Sequence, residues 1–164
     1  MKVNVQVMLK KISIRIRRKK KKLINEEKYL QDLFFVRMGY RLDLERPQTF
    51  NEKLQWLKLN DRKDIYPTMV DKIEVKKYVS GMIGENHIIP TLQVCDCVED
   101  LRLNELPDKF VIKCNHNSGL GMYICKDKKE LQQQKKKIYK NLEKGLKQNY
   151  YRTCLEWPYK NVKR

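Results

Sequence analysis

DKFVIKCNHNSGLGMYICKD, residues 108–127, is the stretch whose reading decides the fold. Phe110-Val111-Ile112 is a short apolar run, β-branched at two of three positions, and Pro107-Asp108 breaks the chain just before it. Such a run predicts a buried strand. Met122-Tyr123-Ile124-Cys125 is a second, ended by Lys126-Asp127-Lys128. Between them, Asn115-His116-Asn117-Ser118-Gly119-Leu120-Gly121 is rich in residues that accept tight turns and positive φ. The order is strand, glycine-containing loop, strand. Gly119 and Gly121 allow the backbone to come close to a ligand and turn N–H groups toward an anion. Lys113 ends the first strand at the mouth of this loop, where an ammonium can meet a phosphate. A polar hairpin whose lysine points into water is the plainer reading of the same residues. The Walker spacing and its following helix are both absent.

Outward from the hairpin, Asp127 and Glu130 stand at capping spacing, and a helix is predicted from there to about Lys147. Its core stripe is Leu131, Ile138, Leu142 and Leu146. Upstream, Thr49 and Glu52 form a capping-box pattern that starts a helix at Phe50, with Phe50, Leu54 and Leu57 on one face as core and Trp56 beside them. Residues 25–39 predict a helix ended by Gly39. Met69–Val79 predicts another, with Asp71, Lys72, Lys76 and Lys77 near its start. Ile88-Ile89-Pro90 and Leu92–Val98 read as a strand with its lead-in. Val3, Val5, Val7 and Leu9 in alternation, then Ile12, Ile14 and Ile16, suggest a strand near the N-terminus, although the Lys/Arg blocks also suit a surface helix.

The net charge of +17 is unevenly placed. Residues 1–24 carry +10 without a single acid, residues 126–164 carry +9, and the middle carries −2. Basic ends suit an anionic partner, whether nucleotide, nucleic acid or anionic lipid. The run Arg17–Lys22 is either a solvated tail or a peripheral contact with an anionic membrane face. Five cysteines, at 95, 97, 114, 125 and 154, give no disulfide framework and suit reduced thiols in a cytoplasmic protein. Cys95-Asp96-Cys97 is too few ligands for a structural zinc site. No segment approaches the ~20 apolar residues of a membrane span. Tyr150, Tyr151, Trp157 and Tyr159, interleaved with Arg152, Lys160, Lys163 and Arg164, form an aromatic and basic end segment that can stack bases or sugars but better suits packing on something outside this chain.

Four blocks resemble the TupA-like ATP-grasp family. They are Thr49-Phe50-Asn51-Glu52-Lys53-Leu54-Gln55-Trp56-Leu57-Lys58, Asp71-Lys72, Phe110-Val111-Ile112-Lys113-Cys114-Asn115-His116, and Glu156-Trp157-Pro158-Tyr159-Lys160-Asn161. The resemblance implies an α+β, incomplete ATP-grasp-like fold. A helical N-terminal region would precede a small mixed sheet with a glycine-containing hairpin and a long helix. It divides the chain into a basic segment (1–24), an N-terminal helical lobe (25–106) and a partial nucleotide-binding subdomain (107–164). It implies ATP with magnesium as cofactor, Lys72 and Lys113 on the phosphates, and Ser118, Gly119 and Gly121 shaping the phosphate loop. His116 would be a loop anchor. The family's role implies synthesis of cell-surface polysaccharide by an ATP-dependent ligase or glycosyltransferase, with a saccharide or peptide acceptor.

Two departures stand out. Asn117 occupies a position where the family's loop has glycine. The Glu-x-Asn pair that supplies magnesium ligands is absent after the loop, where only Asp127, Glu130, Glu143 and Glu156 occur. The expectation is therefore a truncated chain that binds ATP phosphates without its own magnesium ligands and is inactive alone. The alternative is a non-catalytic basic module for nucleic acid or an anionic membrane surface.

Overall fold

The computed structural model describes residues 5–19, 25–117 and 119–162. The run Lys20–Ile24, Ser118, Lys163 and Arg164 lie outside them. The described residues form two compact units, one from the N-terminal part through Lys63 together with Tyr150–Trp157, the other from Asp64–Asn149 and the residues from Pro158 onward.

The first unit is built around α2 (Glu26–Met38). Asn25 caps its start by accepting from the Lys28 N–H at 2.7 Å, and Gly39 ends it in the left-handed region at φ 82°. Tyr29, Leu30, Asp32, Leu33 and Phe34 are all buried, so neighbours surround this helix on several sides. One neighbour is α1 (Val5–Lys19), a helix and not the strand that the alternation favoured. Its apolar residues also recur at helical intervals, and Ile14 packs into the core with Tyr29, Leu30 and Leu33. Lys10 and Arg17 both reach Asp32, at 2.9 and 3.7 Å.

The other neighbour is α7 (Tyr150–Cys154) with Leu155. The Tyr29 hydroxyl donates to the carbonyls of Arg152 and Thr153, and Lys58 Nζ donates to that of Cys154 at 3.0 Å. These bonds satisfy the last carbonyls of a five-residue helix. Leu155 takes φ 55°, which costs a branched residue about 1–2 kcal/mol. Its complete burial is worth about 2–3 kcal/mol and outweighs that cost. Residues 150–157 thus close the core of this unit, where the sequence suggested a segment packing outside the chain.

α3 (Phe50–Asn60) begins with the expected capping box. Glu52 accepts from the Gln48 and Thr49 N–H groups at 3.0 and 2.8 Å and from the Thr49 hydroxyl. The expected apolar core face is corrected. Phe50 is 74% exposed, Leu54, Trp56 and Leu57 are exposed, and the buried residue of the helix is Glu52. Helical spacing marks a stripe without saying what covers it.

In the second unit, β1 (Phe110–Lys113) and β2 (Met122–Cys125) pair antiparallel, with Phe110 opposite Cys125 and Lys113 opposite Met122. The sheet is this hairpin alone among the described residues, so the expected mixed sheet is not formed. α6 (Lys128–Leu146) starts at Asp127, whose carboxylate accepts from the Lys129 N–H. It buries Leu131, Ile138 and Leu142 against Phe110, Cys125, Val98, Leu103 and Leu106, with Leu146 partly buried beside them.

The helix expected over Met69–Val79 is two: α4 (Tyr66–Val70) and α5 (Glu74–Ile83). The break falls at Asp71, whose carboxylate accepts from the Ile73 and Glu74 N–H groups and so begins a new helix. The strand expected over 88–98 is an irregular stretch. Pro90 has no N–H to offer a ladder. The Ile89 carbonyl is taken by Lys76 Nζ at 2.6 Å, and the Gln93 side chain bridges both backbone groups of Arg102.

Candidate functional site

Every described component of the glycine loop belongs to the second unit. Cys114 N–H donates to the Gly121 carbonyl at 2.9 Å and closes the loop at its base. Lys72, immediately after the helix break, hooks the loop from the side. Its N–H donates to Asn115 Oδ1 at 2.6 Å, and its Nζ donates to the carbonyls of Asn115 and Asn117 at 2.5 and 2.6 Å. Asn117 ties the loop to α6 from within, its amide donating to the Gly145 carbonyl. Asn117 is thus the loop's anchor to the long helix. Asn117 Oδ1 is buried and has no hydrogen-bond partner among the described residues.

The two positive-φ glycines differ in their surroundings. Gly119, at φ 87°, has open space where a Cβ would go. Gly121, at φ 71°, lies against α6: a Cβ there would stand 2.4 Å from Cys114 Sγ and 2.9 Å from Gly145 Cα. A Cβ on Gly145 would stand 2.6 Å from Gly121 Cα. Two glycines meeting backbone to backbone set how closely the loop sits on the helix.

The loop borders a pocket of about 350 Å³ lined by Lys72, Lys113, Asn117, Gly119, Leu120 and Gly121, with Met69, Val70, Cys114, Met122 and Tyr159 completing it. A larger cleft of about 760 Å³ shares Lys72, Lys113 and Cys114 with it. That cleft is walled mainly by apolar side chains, among them Val75, Val98, Leu106, Ile112 and Leu146, and adds Lys76 and Lys109. Among the described residues, four lysines and no carboxylate line the two cavities.

Four of the expected site residues, Lys72, Lys113, Gly119 and Gly121, therefore line one pocket. Ser118 lies outside the described residues. His116 is buried in the loop, 3% exposed, and does not line the pocket. Burial, and then the neighbouring Lys113 ammonium, push the Lys72 pKa below its usual value. Lys113 is exposed, and its ammonium has no hydrogen-bond or ion-pair partner among the described residues. Desolvation raises the Cys114 thiol, which donates to the Leu142 carbonyl at 3.5 Å. Burial raises Cys95, and a hydrogen bond with Asp100 raises Cys97; both line the larger cleft.

Sequence reasoning did not find Asn115, Gly145, Lys76 or Lys109. Asn115-x-Asn117 carries a turn signal that hints at the first. Nothing in the sequence pairs Gly145 with Gly121 across 24 residues.

The fold is α+β, and the glycine loop lines one recess together with Lys72 and Lys113. The chain belongs to the TupA-like ATPgrasp family, whose sequence profile matches residues 52–164. No curated protein and no solved structure matches the chain. No helix among the described residues is long and apolar enough to cross a membrane.

Proposed function

We propose that this unit binds ATP for an ATP-dependent ligase or transferase of cell-surface polysaccharide synthesis, with a saccharide or peptide as acceptor. The observation that carries the reading is the Lys113 ammonium beside Lys72 at the mouth of the glycine loop, with no partner and no carboxylate in the recess among the described residues. Two neighbouring ammonium groups repel each other, and an anion between them removes that cost. Lys113 is the phosphate contact. Lys72 has two of its three N–H bonds committed to the Asn115 and Asn117 carbonyls, so it holds the loop in shape and offers its charge and third donor to the ligand. Gly119 and Gly121 let the loop backbone approach the phosphates. The apolar cleft beyond the lysines suits the flat base of the nucleotide.

A phosphate chain fits this donor set. Among the described residues no group of three or more His, Cys, Asp or Glu is placed to hold a metal ion, so magnesium would enter on the nucleotide's own phosphates.

Calorimetric titration with Mg-ATP tests the reading. Saturable binding is expected, weakened by about ten- to a hundredfold in Lys113→Ala, the worth of one charge-assisted hydrogen bond. Equal affinity in the variant, or no binding by a folded sample, overturns it.

A further inference from the structure

α1 shows a second feature, remote in chemistry from the lysine-glycine pocket. Val5, Met8, Leu9, Ile12 and Ile16 recur at intervals of three and four and are 42–66% exposed, so they form one continuous apolar stripe. Ile14, on the opposite side of the helix, is buried against α2. The stripe spans about 17 Å along the axis, eleven steps of the helical rise from Val5 to Ile16.

Its flanks are cationic and specialised. Lys10 and Arg17 serve the fold: both reach Asp32, and the Lys10 ammonium also stands 4.6 Å from the centre of the Phe35 ring. Lys11 and Arg15 are exposed, with no hydrogen-bond or ion-pair partner among the described residues. No acid occurs anywhere in residues 1–24.

We infer that α1 is an interfacial helix that lays its apolar stripe into the surface of an anionic lipid bilayer, with Lys11 and Arg15 reaching lipid headgroups. An apolar face edged by cations without acids is complementary to that surface in both respects. A protein groove would answer the stripe equally well but leaves the flanking charge unexplained. A free nucleic acid would answer the charge and leave five apolar side chains in water.

The test uses the full chain in vesicle flotation, with phosphatidylcholine vesicles and with vesicles containing about one quarter phosphatidylglycerol. Binding to the anionic vesicles only is expected. Leu9→Glu/Ile12→Glu should abolish it, and Lys11→Gln/Arg15→Gln should weaken it about 25-fold, or fivefold per charge. Both variants change exposed positions, and circular dichroism matching the parent confirms that they fold. Lys113→Ala should float as the parent does, which separates this surface from the phosphate pocket. No flotation overturns the inference. So does flotation that survives Leu9→Glu/Ile12→Glu, which would make the attraction purely electrostatic and put RNA on the same footing. A concentration-dependent dimer dispersed by the stripe variant would place a second copy on the stripe and also overturn it.

Discussion

Gly145→Ala sets two effects of opposite sign against each other. Gly145 lies in the last turn of α6, where replacing glycine with alanine stabilises by up to about 1 kcal/mol, chiefly by restricting the unfolded chain. Here the added methyl would stand 2.6 Å from Gly121 Cα, 2.8 Å from Cys114 Sγ and 3.0 Å from Gly121 N. Two of these three atoms are backbone and cannot swing aside. The loop is pinned where it lies by the Cys114–Gly121 and Asn117–Gly145 hydrogen bonds. Overpacking of this kind typically costs about 1–3 kcal/mol, and backbone collision belongs at the upper end. Steric cost therefore exceeds the propensity gain, and a net loss of about 1–2 kcal/mol is expected. Gly81→Ala supplies the control. Gly81 is also helical, in α5, but nothing lies within 4 Å of its prospective Cβ, so it should gain about 0.5–1 kcal/mol. Urea unfolding of the three proteins gives the comparison directly. The variants should move the midpoint in opposite directions. A Gly145→Ala protein as stable as Gly81→Ala would refute the close seating of the loop on α6.

Asn117→Ala removes the bond to Gly145 without adding volume, and a destabilisation of about 1 kcal/mol together with faster proteolytic cleavage of the loop is expected. Burial, and then its bond to Glu26, push the Tyr151 hydroxyl up to about 12, so Tyr151→Phe should lose about 1 kcal/mol in urea unfolding and erase the tyrosine titration near that pH. The Glu52 carboxyl is held below its usual value, first by the Thr49 N–H, so its contribution is present above about pH 4.5 and lost as pH falls through the lower folded-state pKa. Thr49→Ala keeps that N–H but removes the hydroxyl that also donates to Glu52 and caps α3, so acid unfolding monitored by circular dichroism should shift to higher pH, with the α3 cap weakened by about 1 kcal/mol at neutral pH.

Local signals were legible wherever the chain makes its own contacts. The two strands of the hairpin, the Asp127 and Thr49 caps, Gly39 and the α6 stripe all depend on neighbours within a few residues. Readings that needed to know what lies opposite were less secure. The spacing of Phe50, Leu54 and Leu57 shows a face, but not that it is left uncovered. The alternation of Val5 to Ile16 carries both a period of two and a helical stripe, and packing of Ile14 onto α2 selects the helix. The run at 88–98 has strand composition, but Pro90 and the side chains of Lys76 and Gln93 take the bonds a ladder would use. In the site, Lys113 and the glycines were visible from local pattern. The hooking role of Lys72 and the Gly121–Gly145 contact are long-range facts that spacing does not encode.

The claim that the glycine loop with Lys113 forms a phosphate cradle is tested most directly by following backbone amide resonances during titration with ATP and with inorganic triphosphate. The account predicts saturable shifts at Lys113, Gly119, Leu120 and Gly121 with both ligands, lost for triphosphate in Lys113→Ala, and further shifts in the apolar cleft with ATP alone. Shifts spread evenly over the exposed lysines of α6, leaving the loop amides unmoved, would contradict it.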